Sequence, residues 1–131
     1  MFLGTYYLTF SGKGRLILPK KFRKELKKPE IILMKGIDQG IWGFSEQSWQ
    51  EFVNTQLKTS ITQERGRNIR RQFFPFSESV DLDKQGRFVI SDFLLFLTKI
   101  KEKIVLIGVG DHFEIWDLKK WQTELKKLRA E

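Results

Sequence analysis

The sequence predicts a mainly β protein with peripheral helices, an α+β fold in which two internal repeats build one small closed or split β-barrel. Three observations carry this. First, the chain repeats itself at a fixed offset: setting Arg15 beside Arg87 also aligns Gly14 with Gly86, Leu18 with Ile90, Ile32 with Ile104, Gly36 with Gly108, Ile37 with Val109, Phe44 with Trp116 and Trp49 with Trp121. A repeated supersecondary unit of this size buries its apolar face against its copy. Second, short runs rich in β-branched and aromatic residues are punctuated by glycine-containing turns. Third, each copy ends in a segment whose apolar residues recur at helical spacing.

In the first copy, residues 6–53, Tyr6 to Phe10 and Arg15 to Leu18 read as strands around the turn Ser11-Gly12-Lys13-Gly14. Pro19 suits the first position of a short helix that places Phe22 and Leu26 on one face. Pro29 ends that segment, and Ile31 to Met34 and Ile41 to Phe44 are strands about the turn Gly36 to Gly40. Ser45 is placed to cap a helix with Trp49, Phe52 and Val53 on one stripe. The second copy, residues 78–125, follows the same plan. Its strands are Val80 to Leu82, Arg87 to Ile90, Ile104 to Ile107 and Phe113 to Trp116. Ser91 and Asp117 are the expected caps of its two helices, the last carrying Leu118, Trp121, Leu125 and Leu128. The connector, residues 54–77, reads as a helix capped by Thr62 with Ile69 and Phe73 on one side. Arg65, Arg67, Arg70 and Arg71 make it basic, Gly66 weakens it, and the cluster Phe73-Phe74-Pro75-Phe76 closes it. Without a Gly/Ser linker between the copies, one domain over residues 1–131 is expected. Four strands per copy are too few to hide their own edges, so the halves must share a core.

Composition narrows the function. With 131 residues, 12 Phe and 4 Trp, the chain has the means for a sizeable core. There are no cysteines and one histidine, which excludes disulfides and thiol nucleophiles and disfavours a transition-metal site. No apolar run is long enough to span a bilayer. Met1 to Phe10 has neither a preceding basic segment nor a small-residue cleavage site, so no signal peptide is expected. Net charge is +8, divided as +4 over residues 1–53, +3 over 54–79 and +1 over 80–131. A basic balance points to polyanions, nucleic acid first and acidic membrane second; the plainer reading is solubility.

Two loops carry the functional reading. Ser11-Gly12-Lys13-Gly14-Arg15 and Asp83-Lys84-Gln85-Gly86-Arg87 share the form polar-x-x-Gly-Arg, and each is followed by three apolar residues. Arginine offers a planar fork of donors suited to guanine edges and phosphates, and Lys13 and Lys84 add point charges for the backbone. A two-stranded hairpin fits a major groove.

These loops, together with Leu33-Met34-Lys35-Gly36-Ile37-Asp38, Val105-Leu106-Ile107-Gly108-Val109-Gly110-Asp111 and Ile115-Trp116, resemble the MraZ family of bacterial transcriptional regulators over essentially the full length. The resemblance implies a double-split, swapped-hairpin barrel related to the AbrB and MazE DNA-binding domains, with both halves in one chain. It also implies homo-oligomeric rings that grip short direct repeats in the promoter of the division and cell-wall gene cluster, including the regulator's own gene. By the same resemblance Gly14, Arg15, Gly86 and Arg87 are DNA-binding residues, with Asp83 orienting its loop, and the charge reading adds Lys13 and Lys84 to them. The first loop departs from the pattern, carrying Ser11 where the family has Asp. Serine shapes a turn but offers Arg15 no carboxylate.

Plainer alternatives stand beside these expectations. Arg87 has an obvious salt-bridge partner in Asp83, and both roles are compatible. Lys20, Lys21 and Arg23, in the basic run to Lys28, read first as a solvated helix face and second as a sequence-blind contribution to DNA affinity. The connector arginines serve either subunit contacts or DNA. Asp81 and Asp83 mimic a catalytic pair, but a solvated strand end explains them. Gly108-Val109-Gly110 precedes a strand where a dinucleotide loop requires a helix. His112, beside Asp111 and lacking a nucleophile elbow, reads as a turn histidine of no special role. The stripes Trp49/Phe52 and Trp121/Leu125 read as core or subunit contact. The expected protein is thus a non-enzymatic, sequence-specific DNA-binding regulator that assembles with itself. It needs no cofactor, metal, membrane or small-molecule substrate, and it is cytoplasmic and nucleoid-associated. The rival is an oligomeric assembly module with only non-specific nucleic-acid affinity.

Overall fold

The computed structural model describes residues 1–130. Eight strands, five α-helices and one 3-10 turn follow in order: β1 Thr5–Thr9, β2 Arg15–Ile17, α1 Lys20–Arg23, β3 Glu30–Lys35, β4 Ile41–Phe44, α2 Glu46–Gln56, α3 Glu64–Phe73, the 3-10 turn Phe74–Phe76, β5 Ser77–Asp81, β6 Arg87–Val89, α4 Asp92–Thr98, β7 Lys103–Gly108, β8 Phe113–Asp117 and α5 Leu118–Ala130. Six strands form an antiparallel sheet in the order β1-β7-β8-β4-β3-β5, and β2 pairs with β6 alone. A pseudo-twofold relation between the halves centres on the β4–β8 pairing, where Trp42 faces Glu114, its equivalent in the repeat, and the flanking pairs Ile41↔Ile115 and Gly43↔Phe113 exchange. Each half lends its first strand to the other: β1 pairs with β7 through Tyr7↔Val105, and β5 pairs with β3 through Ile32↔Ser79. The halves are therefore interlocked: each supplies its own antiparallel pair, β3–β4 or β7–β8, and takes its outer strand from the other half.

One expectation is narrowed here and one changes. Of the closed or split barrel expected, the closed form is absent, since the ladders do not close. β1 and β5 remain the edges of the large sheet, because the three-residue strands β2 and β6 spend their pairing on each other. Nor do the strands flanking each glycine loop form a hairpin. The chain leaves the large sheet at Thr9 and at Asp81 and enters the small ribbon at Arg15 and at Arg87, so each loop is a corner between sheets.

The continuous apolar runs of β3 and β7 follow from burial on both faces. One face of the sheet (Ile31, Leu33, Ile41, Ile104, Leu106, Phe113, Ile115) packs on Leu16, Leu18, Phe88 and Ile90 of the ribbon side, with Phe22 and Leu94 from α1 and α4. Phe2, Tyr6, Phe22 and Phe113 form an aromatic cluster within this core, with ring centroids 5.3–5.6 Å apart. On the opposite face, Ile32, Met34, Phe44 and Phe73 meet Trp42, Trp49, Phe52 and Ile69, while Val105, Ile107 and Trp116 meet Trp121. The Trp stripes of α2 and α5 thus pack on the sheet.

Ser45 caps α2 in a reciprocal pair with Ser48, and the Ser91 hydroxyl accepts from Leu94 N–H at the start of α4. Other caps differ from expectation. Gln63, not Thr62, precedes α3, and the Thr62 hydroxyl donates to Ser60 Oγ. The Asp117 carboxylate accepts from Lys101 N–H at 3.0 Å, tying β8 to the loop before β7. Pro19 sits one position ahead of α1. Gly66 has a specific role within α3. A Cβ there would overlap the Ser60 carbonyl oxygen, so the residue that weakens the helix is what allows the preceding loop to close over it.

Candidate nucleic-acid interface

The loops are built reciprocally. Both Gly14 and Gly86 adopt positive φ, +75° and +81°. The Gly14 carbonyl accepts from Ile90 N–H at 2.8 Å, and the Gly86 carbonyl accepts from Leu18 N–H at 2.9 Å. Each loop is thereby clamped to the end of the other half's ribbon strand. Space behind them is also limited: a Cβ on Gly14 would lie 2.5 Å from the Ile90 carbonyl oxygen, and one on Gly86 would lie 2.6 Å from Arg23 Cδ.

The ribbon sets the arginines. The register pairs Arg15 with Val89, Leu16 with Phe88 and Ile17 with Arg87. Strand alternation puts Leu16 and Phe88 inward, each 2% exposed, and turns Arg15, Ile17, Arg87 and Val89 out on a single face. The two arginines lie diagonally across that face, each beside the other half's aliphatic residue. The groove-sized element is thus one ribbon made by both halves, in place of the two separate hairpins expected.

The arginines are held differently. Asp83 Oδ1 accepts from Gln85 N–H and Arg87 N–H at 2.9 and 2.8 Å, and its Oδ2 accepts from Arg87 Nε at 2.6 Å. The Arg87 backbone and side-chain hydrogen bonds hold the Asp83 carboxyl below the usual carboxylate range. Arg87 remains 45% exposed while so oriented, so the pairing and an outward-facing fork coexist. The first loop closes by backbone alone, Ser11 N–H to the Arg15 carbonyl at 3.1 Å. Among the described residues, nothing bonds or pairs with the Arg15 guanidinium.

The flanks differ too. Beside the second loop, Arg23, Lys27, Lys28 and Lys84 line a shallow groove of about 310 Å³ with Leu82 and Asp83. Arg23 packs its stem against Gly86, and its Nε is buried without a partner. Beside the first loop, the equivalent hollow is lined by Leu95, Phe96, Ile100 and Asp92, the last paired with Lys13 at 3.3 Å in the open. The basic wall comes from α1, whereas α4 at the equivalent place is apolar with an acidic start. Lys20 and Lys21 are solvent-exposed on α1.

Three of the four connector arginines make hydrogen bonds within the connector. Arg70 Nη1 donates to the Thr59 and Gly66 carbonyls, Arg67 to the Ile61 carbonyl, and Arg71 to Asn68 Oδ1. His112 is also more than a turn residue. It stacks on Phe44 with centroids 5.3 Å apart, and its ring nitrogens meet Asp111 Oδ1 at 2.6 Å and Glu114 Oε2 at 3.2 Å. Glu114 also accepts from Trp116 Nε1 at 2.9 Å. Burial alone would lower the imidazole pKa; the hydrogen bonds to Glu114 and Asp111 outweigh it and raise the pKa above its ordinary value. Glu114, two residues on from His112 and the second residue of β8, was the readable signal. The described residues hold no cluster of metal-ligating side chains, and none of their helices is long and apolar enough to cross a membrane.

Two glycine-cornered loops flanking a shared basic ribbon on an interlocked, duplicated β body define a class of fold with one charged presenting face. The family model for the MraZ protein matches the chain twice, over residues 1–72 and 73–131. Relatives named Transcriptional regulator MraZ include that of Herpetosiphon aurantiacus, 37% identical over all of this chain and 91% of the relative. Those of Finegoldia magna and Roseiflexus castenholzii are 34% and 33% identical, covering 93% and 99% of this chain and 85% and 90% of their own lengths. The chain belongs to the MraZ family.

Proposed function

We propose that the protein is a sequence-specific DNA-binding transcriptional regulator that inserts the β2–β6 ribbon into the major groove. One observation carries the reading: Arg15 and Arg87, from opposite halves, stand on the same exposed ribbon face. Their forks supply guanine recognition, with Lys13, Lys84 and the α1 cations Lys20, Lys21 and Arg23 on phosphates. Gly14 and Gly86 hold the loops; Asp83 aims Arg87, and Ser11 leaves Arg15 free to adapt.

In this reading residues 1–131 are one domain, with repeats 6–53 and 78–125 and connector 54–77, related in design to double-split barrels. Copies assemble into a homo-oligomeric ring that presents several ribbons to short direct repeats, so that weak sites add. The targets are promoter repeats ahead of the division and cell-wall genes, its own gene included, and the place of action is the cytoplasm at the nucleoid. Phe96, 79% exposed, and Phe93, 50% exposed and stacked on Phe76, leave apolar surface suited to contact between copies.

The test is fluorescence anisotropy with DNA upstream of the chain's own coding region against random duplex, across a salt series. Affinity should fall steeply with salt, and Arg15→Ala and Arg87→Ala should each cost about 1–3 kcal/mol of specific binding and relax base choice. Unchanged discrimination in the double replacement would overturn the assignment. Stable assemblies with no preference for the upstream DNA would favour the interaction-module reading.

A further inference from the structure

Ile17 and Val89 are the two ribbon residues that neither the core nor the arginine chemistry accounts for. Each is β-branched, each is about half exposed (49% and 51%), and each lies directly opposite an arginine of the other half. Leu16 and Phe88, one position away, are 2% exposed and meet the need for burial. The outward face therefore alternates cation and aliphatic group across both strands, in a patch about 5 Å wide between strands and about 7 Å long. That length spans roughly two base-pair steps of about 3.4 Å. In the major groove, guanine offers acceptors to an arginine fork, and thymine alone offers a methyl group.

We propose that Ile17 and Val89 are specificity-determining residues that read thymine C5-methyl groups beside the guanines read by Arg15 and Arg87. This rests on the DNA-binding reading above. Charge complementarity commits the face to DNA: the aliphatic groups sit beside two arginines, and a neutral protein surface would strand the Arg15 guanidinium, which has no carboxylate partner among the described residues, whereas Arg87 already has Asp83. Each buried methyl contributes about fourfold in affinity. Two contacts together give about tenfold or more over DNA lacking the methyl.

The experiment uses the full chain and two versions of its own upstream region, amplified with dTTP or with dUTP. Uracil keeps every hydrogen-bonding group of thymine and lacks the methyl. The wild-type protein should bind the thymine fragment more tightly, by about tenfold or more. The Ile17→Ser/Val89→Ser pair should bind the two fragments equally, while retaining preference for the upstream region over random DNA through its arginines. Where the serine pair fails to fold, Ile17→Thr/Val89→Thr keeps strand-favouring branching and should show a reduced ratio.

Equal wild-type affinity for both fragments overturns the proposal and leaves the regulator reading intact. So does a serine pair that still prefers thymine. A pair that changes oligomeric state without DNA overturns it in favour of a subunit contact. Absence of any preference for upstream over random DNA defeats the regulator reading itself.

Discussion

Three glycines of the two loops make a graded test of how the ribbon is held. In Gly14→Ala the new Cβ must adopt φ near +75° and would stand 2.5 Å from the Ile90 carbonyl oxygen. The left-handed conformation alone costs about 1–2 kcal/mol. The obstacle is backbone, so relief requires the loop to move, which stretches the Ile90 N–H to Gly14 carbonyl bond of 2.8 Å and adds about 1 kcal/mol. The total is about 2–3 kcal/mol, or a fall in Tm of about 8–12 °C for a chain of this length. Gly86→Ala meets the same conformational cost, but its obstacle is the Arg23 side chain, whose Nε has no partner to lose. Its cost stays near 1–1.5 kcal/mol, about 4–6 °C. Gly12→Ala meets nothing within 4 Å and has an ordinary φ, so it should be neutral or slightly stabilising. Thermal unfolding followed by tryptophan fluorescence or circular dichroism ranks the three. If Gly86→Ala costs as much as Gly14→Ala, or Gly12→Ala as much as either, the account of the clamped corners is wrong.

Two other outcomes follow from the charged groups. Ser11→Asp should give the first loop the carboxylate that organises the second, raising Tm by about 1–3 °C in low salt and less in high salt. Because the Asp83 pKa is depressed in the fold, any such gain is present above the unfolded carboxylate value and lost as pH falls through the folded one; a gain persisting in strong acid contradicts the mechanism. His112 works in the opposite sense. Its folded pKa is raised, so the stability it contributes is full below the unfolded value of 6.5 and is lost as pH rises through the folded one. Urea midpoints should decline across that window in the wild type and flatten in His112→Gln, and equal slopes in the two proteins would rule the interaction out.

Much of this was legible because the physics is local. The 72-residue offset, the Ser45 and Ser91 caps, the runs Ile31 to Met34 and Ile104 to Ile107, and the Gly-Arg corners all depend on side-chain period or on the backbone freedom of glycine. The outward placement of Ile17 was within reach too. With Leu16 and Leu18 both needed inside, alternation at Arg15 allowed no coherent run of three buried residues. What misled the reading was treating each loop as the tip of its own hairpin.

The sequence by itself determined the duplication, the strand and helix alphabet, the glycine corners and the presence of two loop arginines, since each is set by residues within a few positions of one another. Only the tertiary structure decided that β1 crosses to β7 and β5 to β3, that the ladders stay open at β1 and β5, and that β2 and β6 unite both arginines on one face. It likewise decided that Arg23 backs Gly86 where Leu95 backs Gly14, and that Arg67 and Arg70 bond the loop before α3. Pairing between strands more than forty residues apart in sequence is chosen by which apolar faces bury together and which carbonyls find donors, and strand-by-strand periodicity is identical for a partner in the same half and its copy in the other.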